Sequence, residues 1–156
     1  MDIMPMSVVL FGSIPEALLM VWAGLLLLGH KPALRRLIVV GLIQGLCAYF
    51  IRRYLTFGYH MILQVLSLTL LTFIIMKVRF TAALLAVIIA CAVVILMEGT
   101  TMVLFKVNTL YMFSMGWRRI LYFLPQDMAL FGIIYICRKK NISLLMEFSG
   151  LKKFVG

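Results

Sequence analysis

Apolar stretches separated by short turns that hold most of the charge set the pattern of this chain. The longest, FTAALLAVIIACAVVILMEGTTMVLF, runs from Phe80 to Phe105 with Glu98 as its one charged residue, and the other stretches are expected to arrange themselves around it. As a helix it would reach about 39 Å at about 1.5 Å per residue, against a hydrocarbon core of roughly 30 Å. A lone spanning segment has to be helical, because lipid offers no other partner for its backbone groups. Three further stretches predict helices over about 7–28, 59–76 and 120–137. A fourth, over about 34–51, takes in Leu34 while Arg35 and Arg36 snorkel to the surface. Its Gly41 and Gly45 form a GxxxG pattern suited to close helix packing.

The connections carry their own signals. Tyr54, Phe57 and Tyr59 suit an interfacial aromatic belt, and the Arg52 to Gly58 stretch reads as a loop. His60 and Gln64 share one helix face. The segment from Lys106 to Arg119 has an interfacial composition and is a candidate for a short helix lying on the membrane. After Arg138-Lys139-Lys140, the residues Leu144, Leu145, Phe148, Leu151 and Val155 recur at spacings of three and four beside Lys152 and Lys153. The tail, 141–154, is therefore expected to be a short amphipathic segment on an anionic surface. The expected fold is all-α: a polytopic integral membrane protein, one transmembrane domain over 1–156 with five transmembrane helices.

Composition agrees with this pattern. Of 156 residues, 65% are hydrophobic and 13% charged, and mean hydropathy is +1.14. No soluble domain of this size hides so much apolar surface. A net charge of +10 would suggest nucleic acid in a soluble protein. Here the cations sit between apolar runs, where they set orientation and contact anionic lipid, so no nucleic-acid partner is expected. With five spans, ten of the 15 Lys and Arg residues fall on the side of the His30–Arg36 and Lys77–Arg79 turns and the tail. The N-terminus is therefore expected outside and the C-terminus in the cytoplasm. MDIMPMS lacks a basic leader and a cleavage site, so the first helix is expected to be retained.

Little in the chain suggests catalysis. Cys47, Cys91 and Cys137 lie within or at the end of apolar runs without a CxxC or Cys/His grouping, and His30 and His60 are far apart. No metal and no cofactor are expected. There is no GxSxG, HExxH, Walker or dinucleotide-binding motif, and a non-enzymatic protein is expected.

The acids inside the apolar runs are the informative residues. An ionisable group at membrane depth costs at least about 2.5 kcal/mol and normally faces protein or water. Glu16, Glu98 and Asp127 fall about 14, 10 and 10 Å from the same membrane face. Glu16 follows Pro15, and Asp127 follows Pro125-Gln126. The three acids are expected to converge with Gln126, near Arg52, Arg53, Lys106, Arg118 and Arg119 as candidate counter-charges. One reading makes this cluster a packing lock of ion pairs or protonated acids. The other makes it an outward-facing pocket for a cationic or peptide ligand, or for protons.

The Ile14-Pro15-Glu16 of the first run, the Leu124-Pro125-Gln126 of the last, the close helix spacing and the basic exit resemble the membrane-embedded input regions of Firmicutes peptide-sensing histidine kinases with a GHKL-type ATPase output. The resemblance covers about residues 1–140. It implies a bacterial cytoplasmic-membrane sensor with a protein partner or a second copy of itself, and no kinase activity for a chain that ends at Gly156. The expected function is thus a membrane module that senses a ligand or docks a partner; the alternative is a substrate-binding membrane subunit of a small-molecule or ion transporter.

Overall fold

The computed structural model describes residues 6–54, 59–105 and 116–140, with side chains for 6–54, 59–104 and 124–140. The described residues form five helices and no strand. Helix α1 spans Met6–Leu27 and contains a π-helical turn, Val9–Ser13, ahead of its main α-helical part, Ile14–Leu27. Helix α2 is Leu34–Tyr54, α3 is Tyr59–Met76, α4 is Phe80–Phe105 and α5 is Gly116–Lys140. Four of them, α1, α2, α3 and α4, are long and apolar enough to cross a membrane.

The turns follow from backbone chemistry. Helix α1 ends at Gly29, which takes a positive φ of 74° that costs glycine nothing. The Gly29 N–H then donates to Leu26 O and the His30 N–H to Leu25 O, each across 2.9 Å, which satisfies carbonyls the helix end would leave open. Helix α3 ends at Lys77, whose φ of 56° is left-handed without a glycine. The Arg36 guanidinium donates to the Met76 carbonyl across 3.4 Å, so a cation on α2 covers the C-terminal end of α3.

Contacts between specific residues give the topology. Gly41 on α2 lies against Leu18 of α1, and Gly45 lies against Ile14, so these helices are antiparallel. Gln44 meets Gln64 and Arg36 meets Met76, which sets α2 antiparallel to α3. Helix α1 packs against α2, α4 and α5 at once. Glu16 meets Gln126 and Trp22 meets Arg138, so α1 and α5 run parallel. More than half of α1 is buried, against a third or less of α2, α3 and α4. The centre of the bundle is therefore α1, not the longer and more apolar α4. Hydropathy does not mark the central helix, because lipid-facing and protein-facing positions are equally apolar. Small residues make the central contacts: Ala17, Ala23 and Gly24 on α1 and Ala82, Ala86 and Ala90 on α4 are all buried. The outward faces carry Leu42, Leu46, Phe50, Ile62, Leu66, Ile74, Ile88, Ile95 and Phe131, an apolar exterior that water would not tolerate over such an area.

Two boundaries differ from the hydropathy pattern. Helix α2 continues through Arg52 and Arg53 to Tyr54, where a loop is expected, because cations are favoured in the last turn of a helix. Helix α5 begins at Gly116 and ends at Lys140, so Arg118 and Arg119 belong to a helix rather than to a connection. An apolar stretch marks where oil begins and ends, whereas backbone hydrogen bonding continues beyond it. Tyr54 and Tyr59 are strongly exposed. Phe57, Lys106 and the tail over 141–154 lie outside the described residues. The antiparallel order collects Lys31, Arg35, Arg36, Lys77, Arg79, Arg138, Lys139 and Lys140 at one end of the bundle, all of them exposed.

Candidate functional site

The opposite half of the bundle holds the acids. Pro15 removes a backbone donor from α1. Just before it, the Ile14 N–H reaches back to Val9 O, a π-type bond that widens the helix by one residue. Glu16 follows immediately. From α5, the Gln126 Nε2 donates to Glu16 Oε1 across 3.0 Å. The two Pro-adjacent polar residues thus touch, although they stand 110 positions apart in sequence. Gln126 is 2% exposed, whereas Met128 on the other side of α5 is 73% exposed, so the amide belongs to the inner face.

The remaining charged groups reach the same place electrostatically. The charges of Arg52, Asp127 and Glu98 all act on Glu16, and Arg52 acts on Glu98 as well. The Cys91 thiol on α4 also feels Glu16, which sets Glu16 toward α4 as well as α5. Four helices contribute: Glu16 from α1, Arg52 from α2, Glu98 from α4, and Gln126 and Asp127 from α5. Arg53 does not join them. It is exposed and donates to the Tyr49 hydroxyl across 3.4 Å, one turn back on its own helix. The side chains of Arg118 and Arg119 lie outside the described residues.

Three buried side-chain oxygens at this site have no hydrogen-bond partner among the described residues: the Ser13 hydroxyl, which can donate as well as accept, and the acceptors Gln126 Oε1 and Asp127 Oδ1. Ser13 is 4% exposed and precedes Glu16 by one turn. It is not apparent from hydropathy, though its spacing from Glu16 is a usable signal. Gln44 is another polar residue that the apolar pattern conceals, as are Thr69 and Thr72. It is 2% exposed between α2 and α3, where its Nε2 donates to Gln64 O across 3.2 Å. Ser67 Oγ stands 3.1 Å from Gln44 Oε1 and 3.0 Å from Gln64 O, with one proton to give to either. That network satisfies itself, unlike the one around Glu16. Cys47, Cys91 and Cys137 are free thiols. No group of three His, Cys, Asp or Glu residues among the described residues is placed to share a metal ion.

No protein-family model, curated protein or solved structure matches the chain. Fold and site together define an all-helical protein with four helices long and apolar enough to cross a membrane and a polar cluster at its central helix.

Proposed function

We propose that the chain is a non-enzymatic, five-span module of the bacterial cytoplasmic membrane, N-terminus outside and C-terminus inside, that binds a ligand at the Glu16 cluster and passes the event to a partner. The observation that carries this reading is the set of buried side-chain oxygens beside the Glu16–Gln126 bond that have no partner among the described residues. A packing lock uses up its polar atoms, as Gln44 and Ser67 do with each other and the Gln64 carbonyl. A buried site that keeps polar oxygens unmatched among the described residues, at a cost of about 1–3 kcal/mol each, suits something that enters it. Because α1 touches α2, α4 and α5, a ligand held by Glu16 and Asp127 acts on most of the bundle. Helix α5 carries that action to the exposed cations Arg138, Lys139 and Lys140, which suit anionic lipid or an acidic partner surface. The resemblance to peptide-sensing input regions points the same way.

A transporter subunit is the second reading. It is favoured by the π turn and Pro15 beside Glu16, since transporters place polar sites where helices are interrupted.

Melting of the purified full chain in lipid nanodiscs tests the pocket against the lock. Glu16→Gln, Glu98→Gln and Asp127→Asn should each leave the melting temperature unchanged or raise it, because binding sites are commonly built at the expense of stability. A fall of several degrees in all three variants would establish the lock instead. Solute flux in proteoliposomes, lost in Asp127→Asn, would favour the transporter.

A further inference from the structure

Arg138, Lys139 and Lys140 close α5, and all three are exposed. Two of them are held back against aromatic rings. The Arg138 guanidinium lies over the Trp22 ring of α1, 5.9 Å from its centroid. The Lys139 ammonium lies 5.6 Å from the Tyr135 ring centroid and donates to the Tyr135 hydroxyl across 3.5 Å. Attraction between a cation and a ring face keeps each charge at its ring. Both rings stand back from the bundle end: Trp22 precedes the end of α1 at Leu27 by more than a turn, and Tyr135 precedes Lys139 by one turn. Helical side chains lean toward the N-terminus of their own helix, which for α5 is away from this end, so the lean acts in the same direction.

Anionic lipid and an acidic protein surface would meet these cations from different directions. A protein in the water beyond the bundle meets charges that extend past its end. A phospholipid brings its phosphate to the level where the apolar exterior stops, with acyl chains alongside. Tyr135 and Ile136, beside the cations, are 58% and 51% exposed and belong to that exterior. Aromatic side chains at such a level are typical of a membrane–water boundary. Lys31, Arg35, Arg36, Lys77 and Arg79 are exposed at the same end, whereas the acids with described side chains, Glu16, Glu98 and Asp127, lie in the other half. No carboxylate among the described residues neutralises this end, and its field draws anions. We propose that the end of α5, with Arg138 held at Trp22 and Lys139 at Tyr135, binds the phosphate of an anionic phospholipid in the adjoining leaflet; this rests on the membrane-spanning reading above and assigns that end to lipid.

Native mass spectrometry of the full chain, released from nanodiscs holding phosphatidylglycerol and phosphatidylcholine in equal amounts, reads the lipid retained. Phosphatidylglycerol should be enriched over phosphatidylcholine by about fivefold or more. Arg138→Gln and Lys139→Gln should each lower that enrichment by about threefold or more. Tyr135→Leu should lower it too, although it changes no charge and lies on the exposed surface. Lys31→Gln removes an equal charge from the turn after α1 and should lower it less. An equal fall in all three charge variants, with none in Tyr135→Leu, would reduce the effect to net charge and overturn the site. So would a parent that retains both lipids equally, and a polyglutamate peptide retained in their place would give this end to an acidic partner. A chain recovered inside the nanodiscs without lipid preference sinks the site alone; a chain recovered outside them sinks the membrane reading with it.

Discussion

Gly24 on α1 sits against the backbone of Ala86 on α4 with no room between them for a β-carbon. A methyl group there would overlap the Ala86 carbonyl, and backbone cannot rotate away as a side chain can. Gly24→Ala is therefore expected to destabilise the bundle by about 1–3 kcal/mol or more, the usual range for overpacking. Gly99 and Gly132 have nothing within 4 Å of the same added atom, so alanine there should be neutral or stabilising by up to about 1 kcal/mol. Thermal melting of the three variants in one lipid composition checks the ranking.

Gly45→Ala offers a case that can be repaired. Its new β-carbon would meet the side chain of Ile14, not backbone. The single variant should melt below the parent, and Gly45→Ala combined with Ile14→Ala should recover part of the loss. A double-mutant cycle by melting gives a coupling on the order of 0.5–3 kcal/mol if the two positions are in contact as described.

Neighbouring arginines at the end of α2 should behave differently. Arg52 acts on both Glu16 and Glu98, whereas Arg53 is exposed and, among the described residues, donates to Tyr49 on its own helix. Arg52→Ala is expected to lower the melting temperature by several degrees, since it leaves buried acids without their counter-charge. Arg53→Ala should change it little. The contrast should vanish in a Glu16→Gln, Glu98→Gln background.

Gln44→Leu removes the amide that joins α2 to Gln64 and Ser67. A loss of about 0.5–1.5 kcal/mol is expected, in line with single hydrogen bonds between helices. Ser67→Ala should cost less, because Gln44 keeps its bond to the Gln64 carbonyl. Melting of each variant and of the pair measures both terms.

Orientation is open to a labelling experiment. With the three native cysteines replaced by alanine, a cysteine at Tyr54 should react with an impermeant maleimide added to intact cells. One at Val78 should react only after the cells are opened. The opposite result would invert the proposed topology.

The ends of α3 and α4 could be read from sequence because Lys77-Val78-Arg79 punctuates two long apolar runs sharply. The ends of α2 and α5 could not, since Arg52, Arg53, Arg118 and Arg119 are charged yet helical. Glu16 and Gln126 stand at comparable depths in their apolar runs, so a meeting could be expected of two polar groups that avoid lipid, and the Gln126 amide does reach Glu16. Which arginine would face the acids did not follow, because Arg52 and Arg53 differ only by about 100° around the helix axis. The central place of α1 was equally hidden, as was the partner of Gln44. Neither can be found from one residue's polarity without knowing which helices touch.

The π turn at Val9–Ser13 holds one residue more than an α-helix needs to cover the same rise. The chain before it is offset by about 100° from the register of the chain after it. Deleting a single residue from that window would yield an uninterrupted helix, with Glu16, Ala17 and Gly24 still in their places against α4 and α5. Length is thus a free parameter at this one point of α1, and a deletion variant would separate the geometry of the carboxylate from the geometry of the segment that leads into it.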